Sequence, residues 1–305
     1  MFALIRAWTV RLLSDTGRAK PRLNTVSSTP PFRKRREGFF YALERHTNMA
    51  EREELILYKY LDMDGGLAML EHHNLQFTNA TKFNDPFDCH PALFDYSNTP
   101  VTPHNWPPAD FLKKKGQTDM ENLRDSSWMC CLSKVYDSLL MWSYYNSHKG
   151  ICIGLNINKV LNCCQRSFIG LMPPYPAEVK YRDILQKPDY FKDYNTRVEL
   201  LTTKAKAWEH EQEVRLITKE PLWIHAGRNI PKDLYEEELV DGKEIRHYPQ
   251  LTGDCFESLY LGVNIFPKNK TDIIKAAKEL NPEIKIYQMT TDLEIFGLKE
   301  EIIDD

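Results

Sequence analysis

The apolar positions of this chain fall into short blocks separated by turn-forming residues. Leu55–Tyr60 is apolar and aromatic without a breaker, which predicts a strand. Asp62-Met63-Asp64-Gly65-Gly66 predicts a turn, and Leu67, Met69, Leu70 and His73 suggest a short helix before a strand at Leu75–Thr78. Asn84-Asp85-Pro86 predicts another turn, because proline fixes its own φ and keeps the preceding residue out of the helical region. Pro100–Pro108 reads as a loop and Trp128–Leu132 as a buried strand. Ser138–Ser147 suits a helix, with Leu139, Trp142 and Tyr145 or Asn146 about one turn apart. Lys149-Gly150 ends it, and Ile151–Leu155 makes a further strand. Downstream, Val179–Tyr181 predicts a short strand and Val198–Trp208 a helix. Val214–Thr218, Leu222–Ile224 and Leu259–Val263 read as strands, Asp272–Leu280 as a helix and Ile284–Met289 as a strand. Strands and helices mix without a regular βαβ rhythm. The expected class is therefore α+β, with a mixed, mainly antiparallel sheet and packed helices.

Composition divides this chain in two. Residues 1–50 hold 10 Lys and Arg against 3 Asp and Glu, which leaves a net charge of about −10 on the remainder, beneath an overall −3. Residues 1–48 read as a basic, disordered extension ahead of a single α+β domain spanning 49–305. Two other readings fit this extension. Met49 could be the start of translation, or the acid-poor, Arg-rich composition could serve targeting. The acidic body argues against broad, nonspecific nucleic-acid binding, which needs a basic surface. No stretch approaches the roughly 20 apolar residues of a membrane helix, so no membrane association is expected. Cys89, Cys130, Cys131, Cys152, Cys163, Cys164 and Cys255 include no Cys-x-x-Cys spacing. They read as reduced thiols of a cytoplasmic protein, with no metal site expected.

The densest chemistry lies in Glu209-His210-Glu211-Gln212-Glu213-Val214-Arg215. In a strand, Glu209, Glu211, Glu213 and Arg215 would share a face. Neighbouring carboxylates raise one another's pKa, and an arginine lowers its neighbour's. Glu213 or Glu211 could then act as a general base, or steady an oxocarbenium-like centre in a glycosyl transfer. In a helix, Trp208, Glu211 and Arg215 would share a face instead, giving an ordinary ion pair. Asn84 and Asp85 could hold a tight turn or contact a ligand. Trp142, Tyr145 and His148 mix rings with hydrogen-bonding groups near a helix end. His148 is a candidate acid or base, or a helix-capping cation. Tyr58 and Tyr60 share a strand face and could stack on a planar ligand, or simply pack. Ser133 and Arg215 complete the candidate substrate-binding set. No Gly-x-Gly-x-x-Gly, phosphate loop or Gly-x-Ser-x-Gly is present.

Several clusters recur in order: Leu57-Tyr58-Lys59-Tyr60, Leu75–Asp88, Cys131-Leu132-Ser133, Leu140–Gly150 running into Ile151–Gly154, and Lys206–Ile217. As a set they resemble the bacterial family called domain of unknown function 2971. That resemblance carries no settled activity. Its pattern is similar at fold level to ADP-ribosyltransferase-like folds, which set an aromatic or basic residue on an early strand and a Glu on a later one. That likeness makes NAD a candidate cofactor; the early Arg or His typical of those folds is absent here, and Lys59 and Tyr60 occupy the nearest positions. The function expected is an enzyme acting on a nucleotide-linked substrate. The alternative is a non-catalytic binding or sensing module of the kind deployed in phage defence.

Overall fold

The computed structural model describes residues 54–167, 174–192, 195–219, 235–240 and 243–303. The expected strand at Leu222–Ile224, and the extension over residues 1–48, lie outside them. The class is α+β. An 11-stranded sheet, almost wholly antiparallel, carries helices on its faces. No described helix is long and apolar enough to cross a membrane.

Strand β1 (Ile56–Leu61) pairs along its length with β4 (Ile151–Asn156), and β4 pairs with β11 (Phe256–Leu261). Every residue of β4 is buried, as an apolar run covered on both faces requires. β11 and β12 (Lys285–Asp292) pair in parallel, and β13 (Gly297–Ile302) closes that edge. The parallel pair needs a crossover, supplied by the helix at Pro267–Leu280. On the other side of β1 come β3 (Ser127–Ser133), β2 (Phe77–Asn79), β10 (Lys243–Pro249) and β9 (Tyr235–Val240). β8 (Glu213–Lys219) pairs with both β3 and β5 (Tyr175–Glu178). A small parallel pair, β6 (Lys180–Arg182) with β7 (Thr203–Ala205), stands apart.

Most strands lie where the apolar blocks predicted them. Two segments differ. The expected turn at residues 62–66 begins a helix instead, α1 (Met63–His72). Asp62 caps it, accepting from the Gly65 N–H at 2.7 Å, the usual service of an aspartate at a helix start. Gly66 belongs in the helix because a methyl there would overlap the Ile151 side chain. The expected helix at Val198–Trp208 is broken into a 3-10 turn at Asn195–Leu201, the strand β7, and another 3-10 turn at Lys206–Glu211. Pairing in β6–β7 and the Lys180 N–H to Thr202 carbonyl bond (2.7 Å) hold residues 202–205 extended. Leu200 and Leu201 are buried either way, so the apolar spacing did not distinguish the two conformations.

The remaining helices are α2 (Ala109–Asp125), α3 (Leu139–Asn146), α4 (Ile157–Ser167) and the crossover helix, α5. α3 starts at Ser138, whose hydroxyl accepts from the Met141 N–H, and stops at Ser147 in a left-handed conformation. Gly150, at the start of β4, has no room for a side chain. A methyl there would overlap the Leu61 carbonyl oxygen and lie 2.6 Å from Asn146 Cβ. Overfilling a tight site costs about 1–3 kcal/mol. Gly150→Ala is therefore expected to lower the unfolding free energy by that amount, read as a lower urea midpoint; an unchanged midpoint would mean the α3–β4 corner relaxes freely.

Candidate functional site

A break in the sheet creates the site. β8 lies along one edge of β3 for the whole strand, from Ser127 opposite Lys219 to Ser133 opposite Glu213. The other edge is divided. β2 takes Trp128 and Met129, while β1 meets β3 only at Tyr58 opposite Ser133. Between them, the Cys131 carbonyl accepts from Lys59 Nζ at 3.0 Å instead of from a strand. A buried carbonyl must find a donor somewhere, and here a lysine side chain replaces a ladder bond.

The gap forms a pocket of about 100 Å³. β1 supplies Tyr58, Lys59 and Tyr60, and β3 supplies Cys131, Leu132 and Ser133. Phe83, Asn84 and Asp88 come from the loop after β2, and Met141 and Tyr145 from α3. Lys204 on β7, Glu211 at the end of its turn, and Glu213 at the start of β8 complete it.

The charged groups form one buried chain. Arg215 is fully buried and all five of its N–H groups are engaged. Nε donates to Glu213 Oε1 at 2.8 Å, and Nη2 to Glu213 Oε2 (3.1 Å) and Asp88 Oδ2 (2.7 Å). Nη1 donates to Asp88 Oδ1 (2.8 Å) and the Leu201 carbonyl (2.9 Å). Lys204 Nζ then bridges Glu213 Oε2, at 3.2 Å, and Glu211 Oε2. Tyr145 Oη donates to Glu211 Oε1 at 3.0 Å. The Lys204 ammonium also lies 5.0 Å from the Trp208 ring centroid, a favourable cation–π distance.

These contacts set the ionisation of the groups. Burial alone would raise the Glu213 carboxyl, but the Arg215 guanidinium, its hydrogen bonds and Lys204 outweigh burial and hold it at about 2. Burial would lower the Lys204 ammonium, but Glu213 and Glu211 hold it above its ordinary value. The Cys131 thiol is pushed well up by burial and then by the Glu213 charge, which makes it a poor nucleophile. Burial, followed by the Glu211 charge, raises the Tyr145 hydroxyl.

Of the candidates, Tyr58, Tyr60, Asn84, Ser133, Tyr145, Glu211 and Glu213 line this pocket. Besides Tyr145, Glu211 and Glu213, paired as described above, Tyr60 and Ser133 also have committed polar atoms. Tyr60 Oη donates to the Val135 carbonyl at 3.0 Å, and Ser133 Oγ donates to the Glu211 carbonyl at 2.8 Å. Arg215 lies behind Glu213 and does not reach the pocket. Trp142 is core, its ring edge-on to Tyr60 and its indole N–H donating to the Tyr136 carbonyl at 2.7 Å. Asp85 holds the turn, accepting from the Phe87 N–H at 2.9 Å. His148 sits past the end of α3 with its Nε2 2.9 Å from Ser143 Oγ, away from the pocket, and burial lowers its pKa.

The even row of glutamates does not form. Gln212 adopts φ 43° and breaks the alternation, so Glu213 and Arg215 share a strand face while Glu209 is exposed. Glu211 reaches the same ammonium from the preceding turn. Lys204 had no signal in the chain, because a lysine inside a predicted helix reads as solvated. Among the described residues, no group of three or more His, Cys, Asp or Glu is placed to hold a metal ion.

No curated protein and no solved structure matches the chain. The family match begins at Met141, so Tyr58, Tyr60, Asn84 and Ser133 lie outside it. Residues 141–216 match the model of the family described as Protein of unknown function (DUF2971), and the chain resembles that family over the segment that supplies Tyr145, Lys204, Glu211, Glu213 and Arg215.

Proposed function

We propose that this pocket binds a nucleotide-linked substrate and breaks its glycosidic bond, in an ADP-ribosyl-type transfer on an ADP-ribosyltransferase-like framework. The observation that carries the reading is the meeting of two buried carboxylates, Glu211 and Glu213, beside Tyr145 and the rings of Tyr58, Tyr60 and Phe83. A carboxylate held at about 2 is ionised at neutral pH and is a weak proton acceptor. The useful role of the pair is electrostatic: Glu211 and Glu213 together stabilise the positive charge that develops at the sugar C1′ as the bond to the base breaks. With NAD, the C1′–N bond would break with its electron pair leaving on nicotinamide. A nucleophile would then bond to C1′ and lose its proton. An engineered cavity of about 150 Å³ holds benzene, so a pocket of about 100 Å³ suits one small ring if a wall moves. Tyr145, half-exposed, is the wall placed to do so.

Glu211→Gln is the cleanest variant, since Lys204 keeps Glu213 and the Arg215 pairs are untouched. Nicotinamide release from NAD, followed by chromatography, should fall about 100-fold or more, the scale seen when one preorganised electrostatic group is removed. The absence of both turnover and thermal shift with a nucleotide panel would sink the reading.

A second reading has one observation in its favour. The oxygens of Glu213 and Glu211 are all paired within the protein, as in a structural stitch. On that reading the chain is a binding or sensing module, of the kind used in phage defence. Glu211→Gln would then weaken capture of a partner in a protein that turns over no nucleotide.

A further inference from the structure

Lys204 lines a second pocket as well as the first. This one measures about 240 Å³ and lies between the loop after β2 and the loop after β6. Its walls are largely apolar, with Phe87, Phe94, Ile184 and Leu185 among them. Three of these are exposed to an unusual degree for large apolar side chains: Phe87 at 59%, Ile184 at 72% and Leu185 at 51%. A contiguous exposed apolar patch around a concavity marks a binding site more often than a scattered set of exposed side chains does. Since about 150 Å³ holds benzene, this volume holds a bicyclic heterocycle.

Charge sits on the same rim. The Arg182 guanidinium donates to Gln186 Oε1 at 2.7 Å, but its contact with Glu199 is long, at 3.5 Å, and the side chain is only partly buried. It retains donor capacity for an anion. The apolar pocket therefore has Arg182 at its rim, with Glu199 and Asp183 also in its lining and Asp183 paired with Lys206 at 3.5 Å, and it shares Lys204 as a common wall with the carboxylate pocket.

We propose that the two pockets are compartments of one elongated ligand site, and that the apolar compartment takes the base of a nucleotide whose phosphate is met by Arg182. This rests on the reading of the carboxylate pocket as a nucleotide site, and it adds which end lies where. The base is gripped between Phe87, Phe94 and Ile184. The reacting sugar lies beyond Lys204, beside Glu211.

Calorimetric titration of the full chain with AMP and with NAD tests this. AMP should bind the wild type, and Ile184→Glu should weaken it at least tenfold by placing a carboxylate at the mouth of the slot. Arg182→Leu should weaken it similarly. Tyr145→Phe should leave AMP unaffected. Ile184 is exposed and Arg182 partly so, and an unchanged melting temperature in each variant excludes unfolding as the cause. AMP that fails to bind, or that binds wild type and Ile184→Glu equally, overturns the proposal. Nicotinamide release with AMP and NAD affinities indifferent to Ile184→Glu overturns it while leaving the carboxylate pocket a nucleotide site. AMP binding that is sensitive to Ile184→Glu, in a protein that never releases nicotinamide, supports the apolar compartment and removes the transfer reaction.

Discussion

Arg215→Met is expected to destabilise the protein by about 3–5 kcal/mol, the usual cost of removing one partner from a buried ion pair. Methionine keeps the apolar stem but stops at the position of Nε, so the loss is chiefly electrostatic, with a small void where the terminal nitrogens stood. It leaves Asp88 and Glu213, both buried, without four charge-assisted hydrogen bonds, and the Leu201 carbonyl without a fifth from the guanidinium. Lys204 continues to serve Glu213, but no described lysine or arginine other than Arg215 pairs with Asp88. The same reasoning gives a control. Replacing the carboxylates too, in Asp88→Asn/Glu213→Gln/Arg215→Met, should recover part of the loss, because no unpaired buried carboxylate then remains, although the amides stay buried and polar. Urea unfolding of the single and triple variants measures both quantities. A single variant within 1 kcal/mol of wild type would show that water reaches these groups and that the network is not the frame of the site.

The acid limb of stability should report on Glu213. Its folded pKa, about 2, lies below the ordinary 4.5, so the folded state binds this proton more weakly than the unfolded chain does. The resulting stabilisation is complete above 4.5 and is lost as pH falls from there towards 2. At about 1.4 kcal/mol per pH unit, it amounts to about 3 kcal/mol. Wild-type stability should therefore fall steeply below pH 4.5. Glu213→Gln, less stable at pH 7, should have a flatter profile over that window. Urea midpoints at pH 7, 4.5 and 3 decide the matter, and parallel profiles for the two proteins would assign the acid limb to other carboxylates.

Legibility in the sequence followed burial. Trp128–Leu132, Ile151–Leu155 and Val214–Thr218 read as strands because both faces are covered and the apolar runs are nearly continuous. α2 gave no such signal. It is rich in lysine and among its buried residues are only Gly116 and Met120. α4, and β13 with its exposed face, were equally silent. At the site, alternation placed Glu213 and Arg215 together, since both lie in one strand. It could not place Glu211 relative to them, because a left-handed Gln212 intervenes. Nor could it find Asp88, which meets Arg215 from far along the chain, or Lys204, whose partners Glu211 and Glu213 lie close in sequence but across a 3-10 turn.

The single residue pair between β1 and β3 has a mechanical consequence. Among the described residues, Tyr58 and Ser133 are the one ladder pair that joins β1 and the strands beyond it to the block built on β3 and β8, with the Lys59 and Tyr60 side chains bonding across beside it. The sheet is continuous in order but has a seam there, and the pocket lies along it. Tyr58, Lys59 and Tyr60 belong to one block, and Glu213 and Arg215 to the other. A ligand bound in the pocket would touch both and act as a rivet across the seam, and the separation of the two blocks would set how tightly it could be gripped.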